Sequence, residues 1–190
     1  YKYMKMHFES ERIKNKAEKK LYQQANYDQL TGLANRHYFE DYFSRILLSH
    51  KRQVKKLALL YVDLNDFKEV NDNLGHHVGD ALLQEASVII SQAIRGDDMA
   101  SRFGGDEFVV LLDQVGNEQD VKRVINRLTE VFSNVEFIDH YKIKLSASVG
   151  YAIYPDHGET FESMLKVADK NMYKHKRAQK NSNIIPINKD

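Results

Sequence analysis

The 190-residue sequence has no cysteine, which excludes a disulfide framework and a thiolate metal site. It also lacks an excess of charge of one sign, because 28 Lys and Arg residues against 27 Asp and Glu residues leave a formal net charge of +1. That balance gives no support to bulk attraction to nucleic acid or to an anionic membrane. No apolar run approaches the roughly 18 residues of a membrane span, and no signal-peptide pattern is present. We therefore expect a soluble, cytoplasmic chain with no nucleic-acid partner and no direct membrane contact.

Residues 1–26 differ in composition from the rest of the sequence. They contain no Gly or Pro, are rich in Lys and Glu, and place apolar side chains at Met6 and Ile13. Lys20 falls where a coiled-coil seam should continue, so a solvated linker helix and a coiled-coil arm are equal alternatives for this predicted helix. Residues 27–181 suit one globular domain of ordinary core size. Because the chain begins at Tyr1, we expect it to be a piece of a longer protein that could be tethered to a membrane.

Hydrophobic periodicity predicts the elements after residue 27. Asn35 is predicted to cap a helix in which Phe39 and Phe43 recur at helical spacing. The remaining predicted elements are a strand at 57–62, a polar loop, a helix capped by Asp80, a hairpin at 102–112, a helix at 121–132, a strand at 143–153 and a helix at 161–172. Residues 182–190 are expected to form a loose tail.

The order of elements from residue 57 predicts a mixed α/β fold, an α+β sandwich with a ferredoxin-like or palm-like βαββαβ core. Its antiparallel central sheet is flanked by helices, and the two helices of the core share one face. A right-handed crossover makes the first two strands parallel and leaves room for the third strand between them. The end of the first strand then lies beside the hairpin tip. This brings Asp63 close to Asp106 and Glu107.

The hairpin RFGGDEFVVLL has an ordinary interpretation and a functional one. Gly104 and Gly105 suit a tight turn, and Asp106 and Glu107 can simply face water. However, carboxylates that crowd together with Asp63 repel one another unless a cation neutralises them. Mg²⁺ is the natural candidate, since it prefers hard oxygen ligands and commonly binds between carboxylates and phosphates.

The segment DLNDFKEVNDNLGHHVGD, residues 63–80, offers groups that suit a nucleotide. Lys68 provides a cation for phosphate, although a solvated loop lysine is the simpler interpretation. Asn71 and Asp80 offer directional hydrogen bonds, and a carboxylate matches the two adjacent donors on the edge of guanine. Asp80 alone is equally explained as a helix cap. His76 and His77 suit loop residues better than magnesium ligands, because magnesium disfavours imidazole.

Five ordered motifs give the chain a clear resemblance to the GGDEF-domain diguanylate cyclases. They are YDQLTGLANR at 27–36, DLNDFKEVNDNLGHHVGD at 63–80, RFGGDEF at 102–108, SASVG at 146–150 and ADKNMYKHK at 168–176. The resemblance implies a domain that condenses two GTP molecules into cyclic di-GMP with release of two pyrophosphates, using Mg²⁺ or Mn²⁺. A catalytically silent receptor for GTP or cyclic di-GMP is the alternative. A palm-like polymerase or nuclease is a third, which the near-zero net charge does not favour.

The resemblance also assigns roles to individual residues. It implies that the metal is held by Asp63, Asp106, Glu107 and the carbonyl of Leu64, and that Asp106, Glu107 and Lys68 serve catalysis. It implies that substrate is bound by Phe67, Asn71, His76, Asp80, Gly104, Gly105, Lys176 and Lys180. The sequence departs from the family at Gln179 and Lys180, where Gly and Arg are usual. Because one domain holds one GTP and the product joins two, a homodimer is expected. The N-terminal helix is expected either to pass a signal from an upstream sensor or to act only as a tether.

RGDD at 95–98 resembles the family's inhibitory site for its own product. Arg95 can clamp phosphate and stack on guanine, while Asp98 accepts hydrogen bonds from the base. Arg123 or Arg127 on the following helix is expected to complete this clamp. The alternative interpretation is a simple turn after a helix.

Overall fold

The structure, a computed structural model, describes residues 2–182, apart from the side chains of residues 2, 5, 8 and 179–182. Residues 183–190 of the expected loose tail lie outside this description. In chain order the elements are α1 (Lys2–Asn26), β1 (Ala34–Asn35), α2 (Arg36–Gln53), β2 (Leu57–Leu64), α3 (Phe67–Leu74), α4 (His76–Ala93), β3 (Met99–Gly104), β4 (Glu107–Leu112), α5 (Glu118–Ser133), β5 (Phe137–Ile138), β6 (Tyr141–Lys142), β7 (Ala147–Tyr154) and α6 (Phe161–Ser182).

Five strands form the main sheet in the order β1-β3-β4-β2-β7. β4 lies between β2 and β3 and is antiparallel to both, which makes β2 and β3 parallel as predicted. β1 pairs in parallel with β3, and β7 pairs antiparallel with β2. The predicted mixed α/β fold with a helix-flanked central sheet is therefore confirmed.

Two apolar layers cover the two faces of this sheet. Side chains alternate along a strand, so Ala58, Leu60 and Val62 of β2 face one layer with α4 and α5, while Leu57 and Leu59 face the other with α2 and α6. β2 is buried along its whole length because both of its faces are covered. Asn35 caps α2 as predicted, accepting a hydrogen bond from the Tyr38 N–H at 2.9 Å.

Residues 63–80 are not the polar loop that the composition indicates. They contain α3 and the start of α4, which Gly75 separates at φ 91°. Lys68 therefore lies on a helix, with an exposed side chain. Asp80 lies within α4 and is exposed, so the prediction that it caps this helix was wrong. The physical reason is Gly75, whose positive φ ends one helix and lets the next begin before Asp80.

The strand predicted at 143–153 from alternating apolar residues begins later in the structure, as β7. Ile143 and Leu145 are buried, but β7 begins only at Ala147. The Ser146 carbonyl instead accepts from the Asn65 N–H at 2.9 Å, which ties this segment to the turn after β2. The preceding residues form the small β5–β6 hairpin, which the sequence did not predict.

Helix α1 joins the domain near its C-terminal end. Tyr22 contacts the rings of Tyr27 and Tyr38, and the Asn35 amide donates to the Ala25 carbonyl at 2.7 Å. Ile13 and Leu21 are exposed, so the linker and coiled-coil alternatives both remain. Within residues 2–182, no helix is both long enough and apolar enough to cross a membrane.

Candidate active site

The end of β2 meets the tip of the β3–β4 hairpin. Asp63 is the register partner of Glu107, and the Leu64 N–H donates to the Asp106 carbonyl at 3.2 Å. Gly105 supplies the left-handed turn residue at φ 51°. Because cross-strand partners project on the same face of a sheet, the side chains of Asp63 and Glu107 emerge together. The topology therefore brings Asp63 to the same edge of the sheet as Asp106 and Glu107, which are distant from it in sequence.

This edge is electrostatically unusual. Burial raises the pKa of Asp106, and the neighbouring Asp63 carboxylate raises it further. Asp63 is itself buried, and its Oδ1 lies 2.5 Å from Lys176 Nζ on α6. The site thus combines clustered carboxylates with one lysine that offsets part of their charge.

The acidic edge fits a hard divalent cation. Over the described residues, no three Asp, Glu or His side chains converge closely enough to hold a metal ion by themselves. Mg²⁺ does not need such a cage, because it commonly binds one or two carboxylates and takes its other ligands from water and substrate phosphates. The acidic edge offers oxygen ligands of this kind, because Asp63 and Glu107 are register partners and Asp106 lies beside them.

The turn that carries the Leu64 carbonyl is anchored to β7. The Asn65 side chain donates to Ser146 Oγ at 3.1 Å and accepts from Ser148 Oγ at 2.8 Å. These bonds fix the peptide that follows Leu64, whose carbonyl the resemblance assigns to the metal. The sequence patterns did not indicate a role for Asn65, Ser146 or Ser148, although Asn65 lies in the segment at 63–80 and the two serines lie in SASVG.

The residues expected to bind the base lie on α3 and α4. Asn71 on α3 is half-buried, and its amide packs against Gly79, where a Cβ atom would collide with it. Asp80 follows Gly79 on α4, and His76 and Asp80 are both exposed.

The other substrate-binding candidates divide into anchored and exposed groups. Phe67 is half-buried and packs against the α4–α5 layer, which indicates a structural contribution as well. Lys68 is exposed on the first turn of α3, whereas Lys176 is already engaged with Asp63. Lys180 follows Lys176 by one helical turn on α6, but its side chain lies outside the described residues.

A separate cavity of about 340 Å³ contains the residues predicted to bind product. Arg95, Asp98, Arg123 and Arg127 all line it. Asp98 Oδ2 accepts from the Arg95 N–H at 2.8 Å, and its Oδ1 accepts from the Asp113 N–H at 2.9 Å. The turn interpretation of RGDD is therefore correct in part, because Asp98 also stabilises this turn.

Comparison with known proteins agrees with this geometry. A family model described as "Diguanylate cyclase, GGDEF domain" matches residues 25–182. Diguanylate cyclase TpbB of Pseudomonas aeruginosa is 37% identical over 160 residues, and diguanylate cyclase DgcN of Escherichia coli is also 37% identical over 160 residues. The solved structure of a delta-N mutant of PA1120 (TpbB or YfiN) from Pseudomonas aeruginosa, which comprises only the GGDEF domain, matches with a TM-score of 0.77 and 36% identity, covering 80% of this chain and 89% of that chain.

The two full-length relatives are much longer than this chain. Their matches cover 84% and 82% of it, but only 37% of TpbB and 38% of DgcN.

Proposed function

The chain belongs to the family of GGDEF-domain diguanylate cyclases, and we propose that it condenses two GTP molecules into 3′,5′-cyclic di-GMP with release of two pyrophosphates. The observation that carries this proposal is that Asp63 on β2 is the register partner of Glu107 on β4. Asp106, whose pKa is raised, lies beside this pair. Lys176 adds a cation at the same edge.

The chemistry requires a 3′-hydroxyl to lose its proton while the α-phosphorus of a second nucleotide accepts negative charge. Asp106 is the proposed proton acceptor, because general-base catalysis needs a carboxylate within hydrogen-bond reach of the attacking hydroxyl. Bound Mg²⁺ or Mn²⁺ would take its protein ligands from among Asp63, Asp106, Glu107 and the Leu64 carbonyl and the rest from water and substrate phosphates, and would supply charge neutralisation and an activated hydroxyl. Lys68 and Lys176 would offset charge on the departing pyrophosphate, with Lys180 one turn beyond.

Guanine is proposed to bind at the junction of α3 and α4. The Asp80 carboxylate can accept from both donors on the guanine edge, and the Asn71 amide can supply a further hydrogen bond. Adenine would place a ring acceptor against the carboxylate, so the site would favour guanine. Phe67, His76, Gly104 and Gly105 are proposed to shape the space around the nucleotide.

A reaction that joins two nucleotides needs two domains, since each domain holds one GTP. We propose a homodimer of roughly two-fold symmetry in which the catalytic edges face each other. Residues 27–181 would form the catalytic domain, and residues 1–26 would bring two such domains together under control of an upstream sensor. The cavity around Arg95 and Asp98 is proposed to bind the product and to inhibit the enzyme.

The direct test is incubation of the purified chain with GTP and Mg²⁺, followed by chromatographic detection of cyclic di-GMP. Asp63→Asn and Asp106→Ala should each abolish the product while circular dichroism shows an unchanged fold. Asp41→Asn is the matched control, because Asp41 is an exposed acid of α2 that pairs with Arg45. Binding of GTP or cyclic di-GMP without any turnover would identify a silent receptor instead.

A further inference from the structure

His50 is a buried histidine in the last turn of α2, with a relative exposure of 4%. Its Nδ1 lies 3.0 Å from the Ile46 carbonyl one turn earlier, and its Nε2 lies 2.6 Å from Asp113 Oδ1. The Asp113 side chain is 14% exposed and follows β4 at the end opposite to the acidic edge. Two titratable side chains are therefore held together away from most of the solvent, outside the catalytic site.

The contact between His50 and Asp113 requires a proton between the two side chains. A backbone carbonyl can only accept, so the Nδ1 hydrogen points to Ile46. Two bare acceptors would repel each other at 2.6 Å, so a further proton lies between Nε2 and Oδ1, and the pair as a whole is neutral. Within the described part of the chain neither atom has another partner. Removing either side chain would therefore leave the other one buried and unpaired.

Asp113 connects this pair to the cavity that is proposed to bind product. It lines that cavity, and its backbone N–H donates to Asp98 Oδ1 at 2.9 Å. The backbone around Asp113 is fixed on both sides, because β4 pairs with β2 up to the preceding residue and the Val115 N–H donates to the Lys56 carbonyl at 3.1 Å. What His50 controls is therefore the Asp113 carboxylate rather than the course of the chain.

The charge of that carboxylate matters because the proposed ligand carries two anionic phosphates. Arginines and aspartates are equally represented in the lining of the cavity, which includes Arg95, Arg123, Arg127, Asp98, Asp113 and Asp120. With Asp113 neutralised by His50, the basic groups outnumber the acidic ones, which suits an anionic ligand. Without His50, the Asp113 carboxylate would turn to the cavity arginines and compete with the phosphates for them.

We propose that His50 is a positioning residue of the product site, which neutralises the Asp113 carboxylate and keeps it from competing with the phosphates of cyclic di-GMP for the cavity arginines. The inference rests on the proposed binding of product in this cavity. Removing His50 should weaken product binding roughly tenfold, a loss typical of one contact with a charged group.

The test measures cyclic di-GMP binding to the whole chain by isothermal titration calorimetry, without GTP. His50→Leu should weaken binding roughly tenfold. His50→Gln keeps an N–H donor near the position of Nε2 and should retain most of the affinity. His37→Leu is the matched control, because His37 is an exposed histidine of the same helix, and it should leave the affinity unchanged. Arg95→Ala, measured in parallel, shows whether the binding takes place in this cavity.

A double-mutant cycle shows whether His50 acts through Asp113. Asp113→Asn removes the charge that His50 neutralises, so in that background His50→Leu should weaken binding no further. The double variant leaves no buried charge without a partner, so its comparison with Asp113→Asn stays decisive even if His50→Leu alone does not fold. Equal affinities of His50→Leu and wild type, or an equal loss in both backgrounds, would overturn the inference.

The outcome for His50 can be separated from the outcome for the proposed synthesis. Binding of cyclic di-GMP that depends on His50, in a protein that makes no cyclic di-GMP from GTP, would refute the proposed synthesis and support this inference. A wild-type protein that binds no cyclic di-GMP, or whose binding Arg95→Ala leaves unchanged, would overturn the inference directly.

Discussion

Arg102 Nη1 lies 3.2 Å from both carboxylate oxygens of Asp28, and its Nε donates to the Gly105 carbonyl at 3.0 Å. A single guanidinium thus joins the segment that follows α1 to the hairpin tip that carries Asp106 and Glu107. The Arg102 side chain is 15% exposed and that of Asp28 is 24% exposed, so solvent screens this ion pair less than a surface pair.

Replacing Arg102 by lysine should destabilise the domain, because an ammonium cannot contact the carboxylate and the carbonyl in the geometry of a planar guanidinium. We expect a loss of about 1–3 kcal/mol in the free energy of unfolding, measured by urea denaturation. Arg12→Lys on α1 is the control, since Arg12 contacts Glu9 at 3.5 Å and is 82% exposed. Equal stabilities of Arg102→Lys and wild type would show that the guanidinium geometry is unimportant.

The stabilising effect of Asp28 should depend on pH. Burial opposes ionisation of Asp28, but hydrogen bonds from Thr31 and the charge of Arg102 outweigh it and lower its pKa. A carboxyl group with a lowered pKa in the folded state stabilises the fold above its unfolded value of about 3.9 and loses that effect as pH falls through the folded value. Asp28→Asn should therefore be less stable than wild type at pH 7, and the difference should shrink below about pH 4. A difference that is constant between pH 7 and pH 3 would contradict this.

The pair between Lys176 and Asp63 predicts a dependence of stability on divalent cations. Lys176→Met would leave the buried Asp63 carboxylate beside Asp106 without its lysine, and should cost about 2 kcal/mol in EDTA. Added Mg²⁺ should therefore raise the melting temperature of this variant more than that of wild type. Lys174→Met, at an exposed position on the same helix, is the control. Identical Mg²⁺-induced shifts in all three proteins would argue against a cation near Asp63.

The sequence predicted the parts of the fold that depend on strong periodicity and chain order. The adjacency of Asp63 and the hairpin tip followed from the handedness of one crossover, and the structure confirms it in the register of Asp63 with Glu107. The failures lie where tertiary contacts override local patterns. The polar α3 has no fully buried residue, and its apolar side chains pack only partly against the core, so its sequence resembles a loop.

Side-chain partnerships of the site were harder to predict than its acids. In the run LALLYV, Tyr61 cannot be told apart from an apolar strand residue, because only the register places it diagonally across from Glu107. Asp28 and Arg102 lie far apart in sequence, and each alone is compatible with a surface charge. Their pairing depends on β1, a two-residue strand parallel to β3 that carries no periodic signal.

Gly79 should be required for base selection, because its missing Cβ makes room for the Asn71 amide. Gly79→Ala improves intrinsic helix propensity but should displace Asn71, and we expect the KM for GTP to rise about tenfold for one lost hydrogen bond. Gly96→Ala is the control, since nothing lies within 4 Å of a Cβ placed there. An unchanged KM for GTP and an unchanged preference for GTP over ATP in Gly79→Ala would show that Asn71 does not read the base.

Product inhibition should depend on the cavity that Arg95 shares with Asp98, Arg123 and Arg127. Asp98 is held by two backbone N–H groups, so its carboxylate is fixed and can still accept from a guanine edge through its remaining lone pairs. Arg95 is exposed and therefore free to clamp a phosphate or stack on a base. The side chain of Arg123 is 76% exposed and pairs with Asp120, whereas Arg127 donates to the Ala93 carbonyl at the end of α4. Because an exposed ion pair is weak, Arg123 is the better placed of the two to reach a ligand shared with a second domain.

Because this cavity is lined by none of the acids of the catalytic edge, cyclic di-GMP should inhibit noncompetitively with GTP. Arg95→Ala should raise the inhibitory concentration of cyclic di-GMP at least tenfold, a loss of about 1.4 kcal/mol in product binding, and leave the initial rate unchanged. Arg123→Ala should give a smaller increase, and Arg12→Ala on α1 should give none. Initial rates measured at several GTP concentrations, with and without added product, distinguish the two modes of inhibition. Competitive inhibition that is unchanged in Arg95→Ala would mean that RGDD serves only as a turn and that product binds at the catalytic edge.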